Sequence, residues 1–290
     1  MKRIIIVTCF AFCSLVCSAQ MMQSVGIPLR FDDIAMGGTD VVRETAMVGK
    51  YFSLDCEGNL LKWLPETTDI TIYSLSAKGK VTPDLMLGGS FTNNNIPQME
   101  LFDDMGSSAG WFSPSEWKVE LMGAFKATER ITASAKLRYM QSTLAPGRTA
   151  NHFSADIACL YSFRGVQTGL KVANIGSKVN YGYGAYQLPI VVKAGGLSVL
   201  RFSPNHRMEV AADAGCVVNE SMSALFAIGT SYTWNGIVTV SCGYNYSANE
   251  LAVPSYATLG GNVHLWKVRL GAAYISAGNS ISFMLGFRVV

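Results

Sequence analysis

Charge is scarce in this chain. Asp, Glu, Lys and Arg make up 15% of its 290 residues, while hydrophobic residues make up 49%. Soluble domains carry roughly 25% charge, so an ordinary water-facing surface is a poor fit. Long apolar runs are missing too. Outside the N-terminus no stretch approaches the about 18 residues of a membrane-spanning helix, which excludes a helical membrane protein. The three histidines, His152, His206 and His264, are scattered and lack metal-ligand spacing. Of seven cysteines, Cys9, Cys13 and Cys17 fall in the N-terminal apolar stretch. Cys159, Cys216 and Cys242 fall at apolar positions of separate strands and read as small hydrophobes, and Cys56 has no evident partner. A disulfide framework is therefore not expected. Acids and bases nearly balance, so nothing points to nucleic acid. No phosphate-binding glycine loop is present, and no cofactor is implied. Gly106-Ser107-Ser108-Ala109-Gly110 has the letters of a nucleophile elbow without the strand before it or the helix after it.

What the chain does have is alternation. Trp117, Val119, Leu121, Gly123 and Phe125 sit two apart, with Lys118, Glu120 and Lys126 between them. Successive strand side chains point to opposite faces, so one face is apolar and the other charged. The pattern recurs in Ile131 to Tyr139 against Lys136 and Arg138, in Phe153 to Phe163 against Asp156, and in Met208 to Cys216 against Glu209 and Asp213. It closes the chain in Val268 to Tyr274 and Ile281 to Val289. Expected strands cover 46–55, 68–77, 83–92, 116–127, 131–141, 152–163, 166–174, 188–199, 207–217, 222–234, 237–247, 255–265, 267–275 and 280–290. That is about fourteen, an even number of the kind seen in membrane barrels, with short connections alternating with longer ones. Asn235-Gly236 is a two-residue hairpin signal. Alternation alone fits a soluble sandwich as well, whose polar face is the outer one.

The N-terminus separates the two. Lys2 and Arg3, the apolar run Ile4 to Val16, and Cys17-Ser18-Ala19 read as a secretory signal peptide over 1–19. Export together with alternating strands predicts an all-β transmembrane antiparallel barrel in the outer membrane, over residues 46–290. Residues 20–45 are then expected inside the barrel, because fourteen strands enclose more space than wall side chains fill. Gly37-Gly38 in this segment predicts a tight bend.

In such a barrel the charged parity faces the lumen. The lumen-facing candidates are Lys118, Glu120, Lys136, Arg138, Asp156 and Lys171, together with Lys193, Glu209, Asp213, Lys267, Arg269 and Arg288. They can pair with one another and with a plug, or line a conduit. Gly195-Gly196 is a candidate strand kink. The loop over 93–115 is the longest insertion and is expected at the barrel mouth.

Three stretches carry a resemblance. Gly169-Leu170-Lys171-Val172-Ala173-Asn174-Ile175-Gly176, with Val179, Tyr181 and then Leu188-Pro189, resembles the signature of the PorV/PorQ family. Phe112-Ser113-Pro114 leading to Lys136-Leu137-Arg138-Tyr139 is similar to the preceding hairpin of that family, and Ala35-Met36-Gly37-Gly38 to its N-terminal segment. Where the family usually has a Trp-Asn-Pro-Ala-Gly segment, this chain has Tyr51 to Gly58 without tryptophan or proline. The resemblance implies a Bacteroidetes outer-membrane barrel, FadL-like in fold and non-enzymatic, acting as a component or accessory of type IX secretion. Its implied partners are outer-membrane lipids, other secretion components, and secreted proteins with C-terminal sorting domains. The alternative is a FadL-like channel for hydrophobic small molecules. A structural barrel or surface adhesin is the third reading.

Overall fold

A computed structural model describes residues 27–289 apart from 50–52, 65, 103–104, 183, 219–221 and 249–253. The expected signal peptide and residues 20–26 lie outside the described residues.

Fourteen antiparallel strands form a closed barrel. In chain order they are β1 (Leu54–Trp63), β2 (Ile70–Thr82), β3 (Leu85–Asn95), β6 (Ser115–Lys126), β7 (Ile131–Ala145), β8 (Arg148–Phe163), β9 (Val166–Gly176), β12 (Ile190–Ser203), β13 (His206–Val218), β14 (Met222–Trp234), β15 (Val238–Ser247), β16 (Tyr256–Leu265), β17 (Val268–Ile275) and β18 (Ser280–Val289). Two small hairpins form sheets separate from the barrel wall: β4 (Met99–Phe102) with β5 (Ser108–Phe112), and β10 (Lys178–Asn180) with β11 (Ala185–Gln187). Closure comes from β1 pairing with β18, from Leu54 opposite Val289 to Lys62 opposite Ile281. No open edge is left, which suits a wall surrounded by hydrocarbon.

The direction of the side chains decides the surroundings. Leu75, Leu121, Leu137 and Leu170 are more than 60% exposed, while Asp55, Glu57, Lys118 and Arg269 are under 5% exposed. Apolar groups face out and ionised groups face in. A water-soluble sandwich does the reverse.

One rim carries tight turns. Arg164-Gly165 and Asn235-Gly236 both have positive φ at both positions, the backbone of a two-residue hairpin turn. The other rim carries most of the long connections. There the strands run further than expected: β7 and β8 meet across Pro146-Gly147, so the predicted 142–151 loop is mostly strand.

The first strand is displaced. An expected strand over 46–55 is instead a 3-10 turn, Ala46–Gly49, and the expected loop 56–67 holds most of β1. Val48 is apolar because it packs on Met86 and Ala124 inside the lumen, not because it meets lipid. In β1 both faces are partly apolar, since Leu61 and Trp63 point into an apolar part of the lumen, and this blurs its alternation.

Candidate functional site

The lumen is occupied by residues 27–49, and the candidate site is the contact between this plug and the wall. The plug contains α1 (Phe31–Ala35) and α2 (Val41–Thr45), joined through Gly37 and Gly38. Both glycines have positive φ, +68° and +82°, so the expected bend is present.

At the bend the plug backbone lies directly on the wall, because the wall there is glycine. A Cβ on Gly229 would sit 2.3 Å from the Met36 carbonyl oxygen. One on Gly243 would sit 2.4 Å from the Gly37 nitrogen, and one on Gly271 would strike the Phe31 ring at 2.7 Å. Hydrogen bonds then fix the bend. Gly37 N–H donates to Thr258 Oγ1 (3.1 Å), the Thr258 hydroxyl donates to Ala35 O (3.2 Å), and Asn245 Nδ2 donates to Gly37 O (3.2 Å).

Beyond the bend, ion pairs take over. Asp40 accepts from Lys171 Nζ (2.8 Å) and Lys193 Nζ (3.0 Å). Glu44 meets Lys136 Nζ (2.6 Å) and Lys171 Nζ (3.2 Å). Arg43 bridges Asp33 (3.4 Å) and Glu209 (3.3 Å). The first N–H groups of a helix lack internal partners; here Asp213 on β13 accepts from Asp40 N (2.7 Å) and Val41 N (3.1 Å). Burial raises the Asp40 and Glu44 carboxyl pKa values, but the facing lysines outweigh it and hold both below the usual carboxylate range.

At the short-turn rim, Arg269 binds Asp55 and Glu57 (both 3.0 Å) and approaches Asp32 (3.7 Å). Arg288 and Lys78 also reach Asp55, at 3.0 and 3.5 Å. On the opposite wall Arg138 pairs with Glu120 (2.6 Å) and Asp156 (3.0 Å) and donates to Asn174 Oδ1 (2.6 Å).

Apolar contacts fill the rest. Ile27, Phe31, Ile34 and Ala35 of the plug pack on Leu61, Trp63, Ile72, Tyr256, Ile275 and Met284. The β10–β11 hairpin folds inward at the long-loop rim, and Val179, Tyr181 and Leu188 pack on Met140 and Ala150. Tyr181 and Tyr186 stack at 6.4 Å. The β4–β5 hairpin instead stands clear, with Met105 92% exposed and Trp111 exposed; Ser107 and Ser108 belong to this exposed hairpin.

Lys136, Lys171, Lys193, Glu209, Asp213 and Arg269 therefore reach the plug, whereas Glu120, Arg138 and Asp156 join each other, and Lys118 is buried on the same wall. Lys267 does not face the lumen. It falls in the turn between β16 and β17, with its ammonium 5.1 Å from the centre of the Trp266 ring. Arg288 lies at the rim and reaches inward to Asp55. The ladders through Gly195 and Gly196 run without a register shift on either side; a shift near these residues comes only at Arg201, by the turn. Gly195 is small because Val41 of the plug and Asp213 crowd it. The interruption in this part of the wall lies between β8 and β9, where register shifts past Asp156 and Asn174 has φ +63°. Sequence reasoning missed the plug's own Asp33, Asp40, Arg43 and Glu44. Their signal was a dense mixed-charge run in a segment already expected inside the barrel.

No family model matches the chain, and no curated protein matches its sequence. Solved structures do match. The toluene transporter TbuX of Ralstonia pickettii aligns with a TM-score of 0.60 at 11% identity, covering 89% of this chain and 97% of that one. The toluene transporter TodX of Pseudomonas putida gives 0.59 at 13% identity, with 89% and 96% covered. The outer membrane protein Omp33 of Acinetobacter baumannii gives 0.50 at 8% identity, with 82% and 98% covered. The chain has the fold of these barrels. At such identities the likeness is one of architecture.

Proposed function

We propose that this chain is a non-enzymatic outer-membrane channel for small hydrophobic molecules, closed at rest by residues 27–49. The observation that carries the reading is the apolar compartment of the lumen, in which Ile27, Phe31 and Ile34 of the plug pack on Leu61, Trp63 and Ile72 of the wall. A bore serving only ions or sugars needs no such compartment. An apolar solute gains roughly 25 cal/mol per Å² of surface withdrawn from water, so it competes for the place these side chains hold. The fold shared with two toluene transporters supports the same reading. The test is uptake of a radiolabelled monoaromatic hydrocarbon by cells with a lipopolysaccharide outer leaflet, with and without the protein. Faster uptake with the protein is expected, and faster still for Phe31→Ala. Uptake no faster than in cells lacking the protein overturns the proposal.

A second reading is a component or accessory of type IX secretion, engaging proteins with C-terminal sorting domains. It is favoured by where the resembling residues fall. Asn174 forms the β8–β9 interruption and donates from Nδ2 to Pro189 O (3.2 Å), which ties down the start of β12 below the inward hairpin. Unchanged surface display of sorting-domain proteins after deletion of the gene would remove it.

A further inference from the structure

The geometry points to a binding site for one lipid acyl chain on the outer wall, in a groove across β3, β2, β1, β18, β17 and β16. The groove has a volume of about 750 Å³. Strand register explains it. One rung of outward side chains runs Phe91, Leu75, Gly58, Leu285, Leu270, Val263 from strand to strand. The next rung, two residues along each strand, runs Tyr73, Leu60, Phe283, Ala272, Gly261. The first rung has a gap at Gly58 and the second at Ala272 and Gly261, so the space between the rungs opens at both places.

These two glycines are not required by the backbone or by packing. A Cβ on Gly58 would meet only the Leu285 carbonyl oxygen at 3.8 Å, and one on Gly261 only that of Thr239 at 3.5 Å. That contrasts with Gly229 and Gly243 inside the barrel, where a side chain has no room. The floor is closed: the β1–β18 and β16–β17 ladders are continuous, and Phe31 backs Gly271 from within. Nothing enters the groove from the lumen.

The occupant follows from position. Gly58, Gly261 and Ala272 lie at the middle of their strands, at the depth of the hydrocarbon core, where lipid tails are the solvent. Five strand spacings of about 4.8 Å make the groove about 24 Å long, and one leaflet's tail spans about 15 Å, half of a ~30 Å core. Rungs about 7 Å apart admit a slender flexible chain and exclude the convex wall of a second barrel.

The experiment is native mass spectrometry of the full mature protein, purified from outer membranes in mild detergent. Wild type is expected to keep one lipid per barrel through detergent exchange. Gly58→Leu with Gly261→Leu fills both gaps and is expected to reduce the retained fraction at least fivefold. Gly196→Leu, outward-facing and outside the groove, is expected to leave it unchanged. Folding of each variant is checked by the mobility shift of unheated against heated samples on a gel. Should the double variant not fold, Ala272→Leu alone is expected to give a graded loss. Equal lipid retention in wild type and filled variants overturns the inference. So does a wild-type dimer that the Leu substitutions dissociate, since the occupant would then be a second copy. Lipid retention is read without transport, so failure here and failure of the channel reading are separate results.

Discussion

At the scale of single residues, the lumen is governed by which groups may approach and which must be paired. Gly243 and Gly229 let the plug backbone touch the wall. Gly243→Val forces a side chain into the Gly37 nitrogen, and overpacking of this kind costs about 1–3 kcal/mol. The strands have no such conflict among themselves, so the barrel is expected to stay closed while the plug loosens. Trypsin should then cut at Arg43 in the folded variant, where the wild type resists. Asp40 and Glu44 give the pH response an acid arm. Their folded pKa values are depressed. The docking free energy they contribute is therefore complete above the ordinary carboxylate value of about 4 and is lost only as pH falls through the depressed values. Between pH 7 and pH 5 the contribution of these two carboxylates to the protease resistance of the plug is expected to be constant, and its loss should need pH well under 4. Asp40→Asn takes the Asp40 carboxylate from Lys193 and leaves Lys171 with Glu44, and should weaken docking by about 1.5–3 kcal/mol, seen as cleavage at neutral pH.

At the scale of elements, the β8–β9 interruption is the part of the wall with the most to lose. Asn174 N–H donates to Asp156 (2.9 Å), its side-chain Oδ1 accepts from Arg138, and its Nδ2 donates to Pro189 O. Its φ is one that asparagine tolerates better than most residues. Asn174→Val removes the side-chain bonds and adds backbone strain. It is expected to lower the unfolding free energy measured in urea by about 2–4 kcal/mol once a charged hydrogen bond and a strained backbone are both counted. Asn174→Asp keeps an acceptor for Arg138 and should recover part of the loss. Most strands were legible because period-two alternation marks the two faces of a strand; β1, apolar on part of both faces, was not. The interruption was not, because Gly195-Gly196 looked like the weak point and its reason for being glycine lies in the plug.

At the scale of the whole molecule, the inverted surface makes its own prediction. Cys159 and Cys242 are exposed on the outer wall, and Cys56 and Cys216 are partly so; all four are free. A charged, water-soluble reagent is excluded from the hydrocarbon that surrounds these thiols. In proteoliposomes a water-soluble maleimide should label these cysteines slowly, and unfolding in hot detergent should raise labelling at least tenfold. Fast labelling of the folded protein would place the apolar face in water and undo the barrel assignment.

Alternating polarity along the chain was enough to establish about how many strands there are and that each has one apolar and one polar face, because both are local properties read two residues at a time; the direction of those faces came from the export signal expected at the N-terminus and not from the alternation. The plug contacts were a different matter. Phe31, Ile34 and Val48 are as apolar as residues that face lipid, and Lys267 alternates like a lumenal lysine; only the closed barrel decides that the first three are buried within it and that the fourth sits in a turn. Pairing of Asp40 with Lys171 and Lys193 spans more than a hundred residues. Nothing in the spacing of those residues encodes it. It exists because curvature brings β9 and β12 against a segment threaded through the bore.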